Sequence, residues 1–225
     1  MHIDIVTLFP EIFVGPFSES IVKRAIENNM VGISYHNPRD YSTSKHNKVD
    51  DYQFGGGAGM VMLVEPLALL LDELLAKKKY DAIIYMTPDG ERLEQKQLNK
   101  YSSFENIIII NGHYKGIDQR IRDHYVTHEM SIGDYVLSGG ELATAVFCDA
   151  LIRLIPGAIG DGASALSDSF QDDLLAPPVY TRPASFRGWQ VPQILTSGNL
   201  KAIDDWRHDE AVKKTEIRKP WMLDD

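Results

Sequence analysis

Residues 131–141 read Ser131-Ile132-Gly133-Asp134-Tyr135-Val136-Leu137-Ser138-Gly139-Gly140-Glu141 and separate a strand-like run from a long amphipathic helix. The three glycines let backbone approach a flat or charged ligand where a β-carbon would clash, and Asp134, Tyr135 and Ser138 stand among them with polar and stacking groups. On its own the stretch also admits a tight turn that ends in a helix start, since glycine punctuates ordinary loops. Working outward, the apolar run 125–132 enters this loop, and a helix over 140–155 leaves it and stops at Pro156-Gly157. An earlier apolar run, 106–111, stops at Gly112-His113-Tyr114-Lys115-Gly116-Ile117-Asp118. A still earlier one, 80–87, stops at Thr87-Pro88-Asp89-Gly90 and is followed by a polar helix over 91–101. Strands alternating with helices specify an α/β layer with a mainly parallel sheet. In such sheets ligands sit beyond the carboxyl ends of the strands, so three successive glycine-bearing strand ends point to one shared pocket.

The flanks extend this pattern. A strand over 2–9, a helix over 18–29 and a short strand over 32–37 precede a polar, basic loop at 38–51. Residues 54–62, Phe-Gly-Gly-Gly-Ala-Gly-Met-Val-Met, form either a flexible hinge or a cradle for a phosphate or base. The dinucleotide fingerprint fails because Met62 stands where the third glycine belongs, and no Gly-Lys-Ser/Thr follows for a P-loop. Pro66 opens a helix that ends in Lys77, Lys78 and Lys79, a solvated run set against the negative end of its dipole. Arg153, in the last turn of helix 140–155, is either a plain helix-end cation or a contact for an anion or base.

The division expected is an α/β domain over 1–158, a small, polar and acidic linker over 159–173, and a helical domain over 174–225. The last holds Tyr180-Thr181-Arg182-Pro183, Arg187, Trp189 and a helix from Leu200 to about Lys214 behind Ser197-Gly198-Asn199. Arginine interleaved with aromatic rings suits RNA, because bases stack on both, and suits equally the core of a small domain.

A hydrophobic content of 44% with 24% charged residues fits a soluble globular protein of 225 residues, and no membrane span or secretory signal is visible, so the cytoplasm is the expected compartment. The net charge of −9 argues against a protein that coats nucleic acid. Residues 161–176 carry four carboxylates and no cation, while 177–225 carry eight Lys/Arg against seven Asp/Glu, so any nucleic-acid contact is local. The single cysteine, Cys148, excludes an intrachain disulfide and a cysteine-based zinc cluster, and its apolar neighbours make it a buried hydrophobe.

Taken together and in order, 54–62, 112–118, 131–141, Arg153 to Pro156, Asp168-Ser169-Phe170, and Tyr180 to Pro183 followed by Ser197 to Asn199 resemble the bacterial tRNA (guanine-N1)-methyltransferases, the TrmD family of the SPOUT superfamily. That resemblance implies a parallel α/β sheet with a deep trefoil knot, a small α-helical carboxyl-terminal domain that grips tRNA, and a homodimer with active sites at the subunit interface. It implies S-adenosylmethionine as methyl donor and guanosine at tRNA position 37 as acceptor. By position, Tyr85, Met86, Pro88, Gly90, Gly112, Tyr114, Gly116, Ile132, Gly133, Asp134, Tyr135, Val136, Leu137, Gly139 and Gly140 would line the donor pocket. Asp168 would be the general base for N1 of guanine and Arg153 its electrostatic partner near O6. No residue is assigned to a metal. The family's Gly-Arg-Tyr-Glu-Gly is here Gly112-His113-Tyr114-Lys115-Gly116, which leaves magnesium dependence open. Val179 replaces a histidine, and Asp204-Asp205 a basic pair, so some tRNA contacts differ. Two other readings remain: methylation at another RNA position, and tRNA binding without catalysis.

Overall fold

The computed structural model describes residues 1–159, 168–170 and 172–223. The chain divides into two compact units, Met1–Gly160 and Asp161–Asp225. The expected linker, 159–173, falls largely on residues outside the described ones.

The first unit is built on five parallel strands in the order β2-β1-β6-β5-β7: β1 (His2–Val6), β2 (Gly32–His36), β5 (Ala82–Arg92), β6 (Asn106–Asn111) and β7 (His128–Ser131). Its helices are α1 (Val14–Phe17), α2 (Ser20–Glu27), α3 (Val64–Lys77), α4 (Gln95–Tyr101), α5 (Gln119–His124) and α6 (Glu141–Ile152). The central strand β6 shows why the sequence reads as continuous apolar runs. Ile107 and Ile109 enter one core with α2, α4 and α6, while Ile108 and Ile110 enter a second with α3 and α5. A strand covered on both faces has no polar side to alternate with. Ile84 and Ile83 of β5 divide between the same two cores.

Several boundaries differ from the sequence expectation. α3 starts at Val64, and Pro66 lies in its first turn, where the missing N–H has no intrahelical acceptor to lose. β5 does not stop at Thr87; a register shift against β7 between Met86 and Glu91 carries it on to Arg92, and α4 begins only at Gln95. α5 was hidden by its shortness. The glycine run lies in the turn of a hairpin between β3 (Asp50–Tyr52) and β4 (Met60–Met62), which pair antiparallel. Lys78 is not solvated with its neighbours: its Nζ turns inward to Asp4 Oδ2 at 2.7 Å. Cys148 is fully buried, and burial pushes its thiol pKa up, as expected of a core residue.

The second unit contains the helix Leu200–Arg218, four residues longer than expected and capped by Asn199, whose side chain accepts from the Ala202 N–H. A two-stranded hairpin, Ser185–Phe186 with Trp189–Gln190, precedes it. Thr215 Oγ1 accepts from the Leu175 N–H at 2.9 Å and Lys214 donates to the Ala176 carbonyl, tying residues 175–176 to that helix. Among the described residues no helix is long and apolar enough to cross a membrane.

Candidate active site

The carboxyl ends of β5, β6 and β7 open into a cavity of about 390 Å3. Tyr85, Met86 and Pro88 reach its wall from β5, and Gly112, Tyr114 and Gly116 from the loop after β6. Ile132, Gly133, Tyr135, Val136, Leu137, Gly139 and Gly140 reach it from the loop after β7. Three separate strand ends thus converge, as the sequence pattern requires. Gly90 and Asp134 are not on the wall. A β-carbon at Gly90 would lie 2.5 Å from the Glu129 carbonyl carbon, so that glycine serves the contact of β5 with β7; Asp134 faces solvent.

The cavity loops are fastened to each other and to β1. His113 and Gly139 form an antiparallel bridge, and the Gly140 N–H donates to the Gly112 carbonyl at 3.1 Å. His113 Nε2 lies 2.8 Å from both carboxylate oxygens of Glu141, which also accepts from Thr7 Oγ1 at 2.7 Å. Since the carboxylate only accepts, Nε2 carries the hydrogen. Burial alone would raise the Glu141 pKa, yet the bonds from His113 and Thr7 outweigh it and hold the carboxyl below its usual range. Gly139 is required by this packing: a β-carbon there would stand 2.3 Å from His113 Cε1 and 2.6 Å from Glu141 Oε2. Asn111, at the end of β6, donates to the Val6 carbonyl and accepts from Thr144 Oγ1, which anchors α6 beneath the loops.

The wall also holds Thr87, Asp89, His113 and Lys115, which lie in the strand-end stretches without having been named as donor contacts, and Arg122, which sequence reasoning missed. Arg122 lies in α5, donates through Nε and Nη2 to Glu129 and through Nη2 to Asp89 at 2.9 Å, and stacks over the Tyr85 ring at 5.4 Å. Asp89 accepts in addition from the Thr87 hydroxyl, and the two partners, Thr87 first, hold its carboxyl below the usual range. The available signal was an arginine in the first turn after the 112–118 loop. Burial raises the Tyr85 phenol pKa, so Tyr85 enters the wall as a neutral ring.

The two candidate catalytic residues belong to different units. Half-buried Arg153 is the residue that follows α6 at its carboxyl end. Asp168, also half-buried, precedes a turn in which the Phe170 N–H donates to the Leu174 carbonyl and the Ala176 N–H to Ser169 Oγ. In the second unit the rings of Tyr180 and Trp206 lie 6.4 Å apart, while Trp189 and Trp221 are exposed. Among the described residues no three His, Cys, Asp or Glu side chains are placed to hold a metal ion.

A parallel sheet whose strand ends close around a glycine-walled cavity of this size is the architecture in which α/β proteins place a small-molecule site, at the carboxyl edge of the sheet. The chain belongs to a known family of that class: a family model described as tRNA (Guanine-1)-methyltransferase TrmD matches residues 1–225. Curated proteins named tRNA (guanine-N(1)-)-methyltransferase are similar over their full length. That of Christiangramia forsetii is 58% identical over 225 residues, all of both chains. Those of Flavobacterium johnsoniae and Bacteroides fragilis are 57% and 53% identical, again over all of both chains.

Proposed function

We propose that the chain transfers a methyl group from S-adenosylmethionine to N1 of guanosine at position 37 of tRNA. The observation that carries this reading is the convergence of three strand-end loops on one cavity of about 390 Å3, in a chain that matches the methyltransferase family from end to end. The residues fit the donor: the volume lies in the range of small-molecule sites, and the wall combines bare backbone with Tyr85, Tyr135, Ile132 and Leu137. When bound, the donor supplies an electrophilic methyl on a sulfonium. Gly112, Tyr114, Gly116, Gly133 and Tyr135 to Gly140 hold and orient it, a proximity effect. Guanine N1 carries a proton and is a poor nucleophile, so Asp168 takes that proton as the methyl transfers. Arg153, a permanent cation, offsets the charge that grows on O6.

The reading includes the trefoil knot, which the clasp of Gly112 and His113 against Gly139 and Gly140 supports. It includes a homodimer, supported by the exposed apolar side chains Leu142 and Val146 on α6. It also takes the second unit as the tRNA grip, supported by its exposed rings and arginines. Protein incubated with labelled S-adenosylmethionine and two transcripts of one tRNA, bearing guanine or adenine at position 37, labels the guanine transcript alone. Equal label in both, or none in either, overturns the assignment. Asp168→Ala abolishes turnover and keeps donor affinity.

A further inference from the structure

We infer that Lys115 is an anion-binding group of this site, meeting either a phosphate of the RNA or the carboxylate of the methyl donor. The inference rests on the methyl-transfer reading above. It comes from the charges on the cavity wall. Arg122 is engaged by Glu129 and Asp89, and His113 by Glu141. Among the described residues, the Lys115 ammonium makes no ion pair or hydrogen bond, although the residue is on the same wall. The Arg122, Glu129 and Asp89 group carries one negative charge in excess and repels an anion from its side of the cavity. Among the described wall residues, Lys115 is the cation left to attract one.

Its placement is built. The Lys115 N–H donates to the Met60 carbonyl at 2.9 Å, and the Met62 N–H donates to the Gly116 carbonyl at 3.0 Å, so the loop is laced to β4 on both sides of the side chain. The stem lies over Gly59, where a β-carbon would stand 2.9 Å from Lys115 Cγ. With its stem seated on the hairpin, the lysine has lost part of its rotamer freedom before any ligand arrives, which lowers the cost of binding. A lysine ammonium serves phosphate and carboxylate alike as a point charge.

The test uses Lys115→Met, which keeps the stem and removes the charge, with Lys115→Arg as the rescue. Calorimetry measures binding of S-adenosylhomocysteine and of 5′-methylthioadenosine, which lacks the amino-acid portion. Filter binding measures tRNA affinity between about 50 and 200 mM salt. If the anion is the donor carboxylate, Lys115→Met weakens S-adenosylhomocysteine about tenfold and leaves methylthioadenosine unchanged. If it is a phosphate, both small ligands bind as in the wild type, while tRNA affinity falls and its logarithmic salt slope shrinks by about one. Wild-type affinities and slope throughout overturn the inference and leave the methyl-transfer reading intact. A wild-type protein that binds neither S-adenosylhomocysteine nor tRNA removes that reading and the inference with it.

Discussion

Asp4 and Glu141 are both carboxylates shut away from water, and each is bonded to a histidine, His36 at 2.7 Å and His113 at 2.8 Å. In both, burial alone would raise the pKa, and hydrogen bonds hold it below the ordinary carboxylate range instead. They differ in where their partners come from. Asp4, midway along β1, gathers His36 from the last position of β2, Lys78 from the residue after α3 and Tyr80 from just before β5, none of them on the cavity wall. Glu141 gathers Thr7 and His113 at the carboxyl ends, beside a cavity. A buried acid with a histidine is therefore no mark of a site by itself; its position among open strand ends and glycine loops is what separates function from fastening.

The sharpest way to break this contrast is Asp4→Asn. Removing the charge that the buried Asp4 shares with His36, Tyr80 and the partly exposed Lys78 costs about 3 kcal/mol in urea unfolding, with donor affinity per folded molecule unchanged. The pH dependence has a fixed sign. Asp4 has a lower pKa folded than unfolded, so its contribution is complete above the unfolded value near 3.9 and is lost as pH falls through the folded one. Asp4→Asn accordingly flattens the acid limb of the stability curve, and a variant as acid-sensitive as the wild type would remove Asp4 from this role.

Glu141→Gln has the reverse balance. The amide keeps a bond with Thr7, so stability falls by only about 1–3 kcal/mol, while S-adenosylhomocysteine binding weakens about tenfold because His113 loses its anchor. Equal losses at Asp4 and Glu141 in both measurements would erase the distinction. Gly139→Ala pushes against the same histidine and weakens the ligand severalfold with a stability change of about 1 kcal/mol. At the small end, Lys77→Ala removes an exposed pair with Glu73 and leaves the melting temperature unmoved, unlike its inward-turned neighbour Lys78.

Much of the site was legible because its signals are local. Four isoleucines in a row at 107–110 announce a strand buried on both faces, and glycine at 112, 116, 133, 139 and 140 announces close backbone approach at the strand ends. What stayed hidden depends on distance. Thr7 and Glu141 lie 134 residues apart, and no local pattern joins them. Lys78 reads as one of three equivalent cations, since only the fold brings it over Asp4. Gly90 looked like a ligand glycine because the extension of β5 through Pro88 defies the usual stop signal. An acid between Ile3 and Ile5 was a clue that a buried partner had to exist.

The central strand β6 has one further consequence, for how the chain reaches this state. It lies between β1, about a hundred residues earlier, and β5. Asn111, next to the wall residue Gly112, depends on the first of those pairings, through its bond to Val6. Loop-closure entropy makes so distant a pairing slow to form. The binding pocket is therefore among the last parts of the molecule to exist, and a growing chain acquires ligand affinity only once its sheet is complete.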